Sequence, residues 1–585
     1  MATKKSVSFK EQSFAKSLYF GNILEEMVFP YPEVPSEEKE TVDLFIDSFR
    51  KFSKKHINPR EMEKEKKIPK DVLQGLAELG LFGLSFPQRF GGAGLSNTAY
   101  ARIMEEVCHL DASLGVTLGG HQSIGCQGIA LFGTPEQKKK YLPDCASGKT
   151  LAAFALTEPD AGSDAAGIKT KAILSDDKKY YILNGSKIWI TNGAIADLFT
   201  VFAKTQIPGE KGEEAWKITA FIVTRDMGVE HGSEENKMGI RASSTTSLFF
   251  KDTKVPVENV LGEVGKGFKV AMEILNKGRL GLAAGCLGGS KRAIELAEEH
   301  AKNRIAFRRP IAQFGMIQDK IANMLMDCFA NESMVYMTTG LIDRGVEDYS
   351  VESAICKVFS SESAWRIINE AMQIGAGSAY MQDYPYEQLL RDARINIIFE
   401  GTNEILRCFI TLSGMQGPGN YLKEVGKSLQ YPLKGIGPLY QFAIKKISRD
   451  VIGIGDRITR ADTTFKKESA VIEDYTKELA QHVEYVLRKY GKDIWDREFI
   501  QKRISNIVID LYAMICTISR VTHFIQKQGL EKSKFSIHLA QAFCERAERR
   551  IKRNFKAMQH NDDERLKLLA DTQYKHKDYP FDCFS

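Results

Sequence analysis

The chain of 585 residues is short of several features that would assign it to a class at once. Its ten cysteines are scattered from Cys108 to Cys583, with no CxxC pair and no Cys/His cluster at zinc spacing. That argues against a structural zinc site, and the thiols read as reduced ones in a reducing compartment. No stretch approaches about 18 uninterrupted apolar residues, so no membrane-spanning segment is expected. Met1-Ala-Thr-Lys-Lys-Ser6 offers neither the apolar core of a signal peptide nor an Arg-rich amphipathic presequence. Lys and Arg number 81 against 75 Asp and Glu, a net charge of +6 that is too mild to imply a nucleic-acid partner. No internal repeat of about 20–50 residues is visible.

What is present is an ordinary globular composition, 43% hydrophobic and 27% charged. The length exceeds what one core accommodates and suggests about three or four domains. Residues 1–150 read as helical: Val72, Leu73, Leu76 and Leu79 recur at helix spacing, with Gly80 as C-cap, and Thr134-Pro-Glu-Gln137 carries a capping-box pattern. Phe90–Leu95 is a glycine-rich turn. Over 151–262 the pattern alternates with many β-branched and aromatic residues, and Asn184-Gly185 signals a turn between two strands. Helical periodicity returns over 263–420, broken at Gly375-Ala-Gly377 and Glu400-Gly-Thr402. The Gly- and Pro-rich stretch 416–438 has linker composition, with the linker itself placed at 421–440. A last helical block, 441–585, contains the stripe Ile504, Ile507, Val508, Leu511, Met514, Ile515 and Ile518. The expected fold is mainly α with a central β domain.

Three blocks could carry chemistry. Thr157-Glu-Pro-Asp-Ala-Gly-Ser-Asp164 concentrates hydroxyls and backbone N–H groups that suit a phosphate or the polar edge of a ring, or else form a capped surface turn. In Asn184–Gly193, Trp189 and Thr191 share one face of a strand, as a flat heteroaromatic cofactor or an ordinary core would use them. In Arg391–Arg407, Glu400 follows the apolar run Ile397-Ile-Phe399. Apolar surroundings raise a carboxylate's pKa toward that of a general base, whereas a helix start would also favour an acid there.

In this order and spacing the three blocks resemble the flavin and base motifs of the acyl-CoA dehydrogenase family, over about residues 40–415. The lead Val28-Phe-Pro-Tyr-Pro32, the run Leu261–Met272 and the C-terminal block extend the likeness to its very-long-chain branch. The resemblance implies that family's fold, a helical domain, a β-barrel domain and a four-helix domain, with an extra C-terminal helical domain. It implies FAD as cofactor and Glu400 as base. Phe154, Leu156, Thr157, Ser163, Trp189 and Thr191 would contact the flavin, with Thr402 and Glu404 beyond the base. Arg304, Phe307, Gln373, Gly375 and Gly377 would complete the FAD site from a neighbouring subunit. Ser163, Asn276, Arg279 and Gly401 would meet the substrate. Some relatives carry the base on the helix beside the matching arginine; here that neighbour is Gly278, which leaves the task to Glu400.

Gly115, Gly119 and Gly120 lie where smaller relatives close the acyl pocket, which implies a deep pocket for long chains or, alternatively, close helix packing. Over 434–460, Tyr440, Ala443, Ile447, Val451 and Ile454 keep helical spacing among Lys445, Lys446, Arg449, Arg457 and Arg460. This reads as a packing helix with a basic face or as one that lies on a membrane surface, the option the resemblance favours. The resemblance further implies long-chain acyl-CoA as substrate, electron-transferring flavoprotein as acceptor, a homodimer, and a bacterial cytoplasm or mitochondrial matrix. The competing functions are an acyl-CoA oxidase that releases peroxide and a scaffold or assembly factor that keeps the fold.

Overall fold

The structure is a computed structural model, and it describes residues 9–208, 213–430 and 456–581. The basic segment expected to form an amphipathic helix falls almost wholly outside those residues.

The helical start follows local rules. Val72 and Leu76 are buried in the Lys70–Glu78 helix, and Gly80 ends the turn at φ 73°. Thr134 and Gln137 form a reciprocal capping box on Pro135–Ala146. The middle of the chain forms an eight-stranded sheet among the described residues. Its strands are β1 (Ala152–Ala155), β2 (Lys171–Leu174), β3 (Tyr180–Thr191), β4 (Leu198–Pro208), β5 (Glu214–Thr224), β6 (Glu230–His231), β7 (Thr245–Pro256) and β8 (Val260–Leu261). Their order is β6-β7-β3-β2-β4-β5-β8, with β1 parallel to β4. Strand β4 is buried on both faces: Leu198 and Phe202 pack with Ile129, Tyr141 and Ile274, while Phe199, Val201 and Ala203 join the other core with Leu183, Leu248 and Phe250.

Asn184-Gly185 is a bulge within β3 rather than a hairpin turn. Strand β3 continues through it because Asn184 exchanges two hydrogen bonds with Asp252 of β7, at 3.0 and 2.9 Å. Gly185 there passes so close to Thr170 that a Cβ would lie 2.5 Å from its hydroxyl.

Helices Gly267–Asn303, Gly315–Asp343, Ser350–Tyr380 and Asn403–Gln430 form the third layer. Ser350–Tyr380 is kinked at Ala376 (φ 50°, ψ −136°), the joint expected at Gly375-Ala-Gly377. The linker expected from Gly417, Pro418 and Gly419 is instead helix through Gln430. Pro418 is buried, and Gly414 and Gly417 admit the rings of Tyr19 and Phe20 against the helix. Composition registered the small residues but not the aromatic lead that they receive.

The C-terminal helices Lys466–Tyr490, Glu498–Gln528 and Leu530–Gln559 pack onto this layer. Every member of the Ile504–Ile518 stripe is at most 1% exposed. Glu498–Gln528 is long and apolar enough to cross a membrane, yet 89% of its most apolar window is buried inside the protein, as in a core helix. The N-terminal lead ties the blocks together: Ser13 donates to Glu352 at 2.7 Å, Tyr19 to the Ile410 carbonyl at 2.8 Å, and Ser519 to the Val28 carbonyl.

Candidate functional site

A cavity of 1370 Å³ opens where the helical N-terminal part, the sheet and the third layer meet. Its walls come from separate parts of the sequence. Phe154, Leu156, Thr157 and Ser163 line it from the end of β1 and the turn beyond, Trp189 and Thr191 from β3, and Gly119 and Gly120 from the Ala112–Gly119 helix and the turn after it. Arg279, Glu400 and Gly401 line it from the third layer.

Trp189 reaches the cavity by a route that simple alternation misses. A register shift between Lys187 and Ile190 leaves Trp189 at φ 55° and 62% exposed, so the bulge turns the indole outward beside Thr191. The turn that begins at Thr157 is held from below by Glu158. Its carboxylate accepts from Lys187 Nζ at 2.8 Å, from Thr170 Oγ1 at 2.5 Å and from the Thr170 amide at 3.0 Å. Lys187 is fully buried and also donates to the Leu156 carbonyl at 3.0 Å. Burial pulls this lysine down to about 8 against the raising effect of Glu158.

Glu400 sits at φ 56° with Gly401 at φ 93°, two successive left-handed residues before the Asn403–Gln430 helix. Its Oε2 is buried without a hydrogen-bond partner. Burial raises the carboxyl to about 7, opposed by the charges of Arg279 and Lys357. Arg279 Nε donates to the Glu400 carbonyl at 3.4 Å and Nη1 to Asn276 Oδ1 at 2.9 Å, and burial lowers its pKa to about 10. Gly278 leaves the room that Glu400 fills: a Cβ there would lie 3.1 Å from Oε2 and 3.2 Å from Oε1.

The other expected residues lie elsewhere. Asn276 stands behind Arg279, outside the cavity wall. Thr402 Oγ1 caps the next helix by accepting from the Ile405 amide at 3.3 Å, and Glu404 is exposed in its first turn. Arg304 and Phe307 fall at the end of Gly267–Asn303, where Phe307 is 90% exposed. Gln373, Gly375 and Gly377 cluster at the Ala376 kink, with Gln373 and Gly377 exposed and Gly375 buried. None of these lines the cavity of its own chain.

The glycines differ. A Cβ at Gly120 would meet Thr191 Cγ2 at 2.8 Å, and one at Gly115 would meet Cys108 Sγ at 2.1 Å, so both serve packing. At Gly119 the nearest neighbour is Ser123 Oγ at 3.6 Å, an ordinary contact that a Cβ would not disturb. Two features escaped the sequence reading. One is Lys357, whose only signal was a cation inside the apolar run Ala354–Phe359. The other is the reach of the cavity past Phe409, Leu412 and Met415 to Leu487, Ile494 and Trp495 of the C-terminal block.

Models of the acyl-CoA dehydrogenase N-terminal, middle and C-terminal domains match residues 39–149, 153–253 and 265–413. A fourth, the ACAD9/ACADV C-terminal domain, matches 463–579. The chain belongs to the acyl-CoA dehydrogenase family. It is 44% identical to the very long-chain specific acyl-CoA dehydrogenase, mitochondrial, of Rattus norvegicus, over 95% of this chain and 86% of that protein. It is 38% identical to a probable acyl-CoA dehydrogenase of Bacillus subtilis, over 85% of this chain and 84% of that one. An acyl-CoA dehydrogenase from Bacillus anthracis, solved in complex with FAD, superposes with a TM-score of 0.79 at 35% identity, covering 97% of this chain and 96% of that one.

Proposed function

We propose that this protein oxidises long- and very-long-chain fatty acyl-CoA thioesters to trans-2-enoyl-CoA, with FAD as cofactor and Glu400 as the base. The observation that carries this reading is the Glu400 carboxylate. It is desolvated, left without a partner at Oε2, raised to about 7 and set in the same cavity as Trp189 and Thr191. A base for a weakly acidic α-proton needs that elevation.

The residues present fit the cofactor. An exposed indole and a threonine on one wall suit a flat ring, with Phe154, Leu156, Thr157 and Ser163 beside them. Thr402 and Glu404 lie at the adjoining helix start. When bound, FAD supplies the acceptor for the β-hydride. The chain does the rest: the thioester enters past Ser163, Glu400 takes the α-proton on Oε2, and the Glu400 backbone N–H would donate to the developing enolate oxygen. The apolar wall excludes water and so strengthens both interactions. Arg279 fixes the backbone of the base, and Asn276 orients Arg279.

Gly119 and the apolar walls favour a long acyl chain. Exposed Arg304, Phe307, Gln373 and Gly377 support a homodimer in which they and Gly375 complete a partner's FAD site. Electron-transferring flavoprotein as acceptor, a peripheral membrane contact through 434–460, and a bacterial cytoplasm or mitochondrial matrix as location belong to the same reading. Anaerobic titration of the flavoprotein with acyl-CoAs from butyryl to arachidoyl tests it. The oxidised-flavin absorbance should bleach most fully with the long members; no bleaching with any member rejects the proposal. Peroxide release in air at the rate of substrate oxidation would make the protein an oxidase instead.

A further inference from the structure

A lysine is almost never fully buried unless its ammonium is held. Lys357 is 0% exposed in the first third of the Ser350–Tyr380 helix, and among the described residues no carboxylate is its hydrogen-bond partner. Its Nζ donates to the Gly401 carbonyl and to Asn403 Oδ1, both at 2.8 Å. Both acceptors belong to the turn that carries Glu400. From another helix, Arg279 donates to the Glu400 carbonyl. Two buried cations thus grip successive carbonyls of a backbone held at φ 56° and 93°.

The geometry points to Lys357 as a positioning residue for the base: it pins the Gly401 carbonyl, which fixes the left-handed turn that aims the Glu400 carboxylate into the cavity, and it keeps a positive charge behind that carboxylate. This rests on Glu400 being the base, as proposed above. Asn403 is the second anchor, held in turn by Ser361 at 3.0 Å and Glu362 at 3.1 Å. Glu362 is itself paired with Arg407 at 2.7 Å, so its charge is already compensated.

The groups that face Glu400 come from three helices. Arg279 and Cys286 are on Gly267–Asn303, Lys357 on Ser350–Tyr380 and Tyr100 on Asn97–Leu110. Burial pushes the Cys286 thiol up to about 12 and raises the Tyr100 hydroxyl well above its ordinary range, so both stay neutral. Among the described residues, Arg279 and Lys357 offset the desolvation of the carboxylate. Removing the Lys357 charge therefore raises the pKa of Glu400, and the protein needs a higher pH to ionise its base.

Two substitutions separate the effects. Lys357→Gln keeps a donor and loses the charge; Lys357→Met loses both. In the flavin-loaded enzyme, both should move the acid limb of the kcat/KM profile upward by about one pH unit, the size expected of one nearby charge. Lys357→Met should in addition lose kcat by about tenfold or more at the plateau, with KM within about twofold, because the turn is no longer pinned. Infrared difference titration of the carboxyl band that Glu400→Gln removes should show the same upward move without any turnover. It therefore decides the matter even if the wild type oxidises no acyl-CoA, an outcome that would reject the proposed function alone. An unmoved carboxyl titration in Lys357→Gln overturns the inference, as does a Lys357→Met enzyme with wild-type kcat. Failure of both variants to fold overturns it too, since Lys357 would then be a structural residue.

Discussion

The carboxylate of Glu400 occupies the space beside Gly278, 3.1 Å from the point where a Cβ at that position would stand. The same Cβ would lie 2.7 Å from Ile124 Cγ2, so the helix can carry a side chain here only by moving the base or the wall opposite. The absent side chain at 278 and the carboxylate at 400 are two halves of one arrangement. Gly278→Ala should fold with its flavin and lose kcat by about tenfold, since displacement of a reacting group by a fraction of an ångström is costly. Steady-state kinetics with palmitoyl-CoA checks this, and kcat within about twofold of wild type would show that the contact is not needed.

The pKa of Glu400 predicts a pH dependence. With the carboxyl raised to about 7, kcat/KM should climb as pH rises through about 7 and level off above it. Stability runs the other way. The folded state favours the protonated acid, so its contribution is full below the ordinary carboxyl value of 4.5 and is lost as pH rises through about 7. Glu400→Gln should then be more stable than wild type at about pH 8, by up to about 3 kcal/mol, with the difference vanishing at about pH 4. Denaturant melts at the two pH values test this.

Beneath the Thr157 turn, the Glu158–Lys187 pair is buried at 5% and 0% side-chain exposure. Removal of one partner strands the other charge away from water. Glu158→Ala should cost about 3–5 kcal/mol of stability and weaken flavin retention, measured by denaturant unfolding and by flavin release on dilution.

The glycines of the pocket should separate by role. Gly119→Leu adds a side chain at a cavity wall where a Cβ meets only an ordinary contact, and it should shift preference toward shorter acyl chains, read as kcat/KM across an acyl-CoA series. Gly120→Leu should instead disturb Thr191, which a Cβ would meet at 2.8 Å, and lower activity with every chain length.

Features set by near neighbours in the sequence were legible: the Thr134 capping box and the Ile504–Ile518 stripe both formed as local rules dictate, whereas Ile398 of the apolar run before Glu400 is 46% exposed. Features set by distant partners were not. Asn184-Gly185 carries hairpin composition, yet Asp252 holds it as a bulge within a longer strand. Gly417-Pro-Gly419 reads as a linker only while the ring of Phe20 is out of view. Trp189 and Thr191 do face the same cavity, but through a bulge rather than strand alternation. Lys357 carries no local signal of its role, since the carbonyl that explains it lies 44 residues away.

The most direct test is anaerobic addition of palmitoyl-CoA to flavin-loaded wild type and to Glu400→Gln. Wild type should bleach within seconds, while the variant should bind its flavin and the thioester normally and keep the oxidised-flavin absorbance, with reduction slowed by about a thousandfold or more. Bleaching of Glu400→Gln at the wild-type rate would contradict the account.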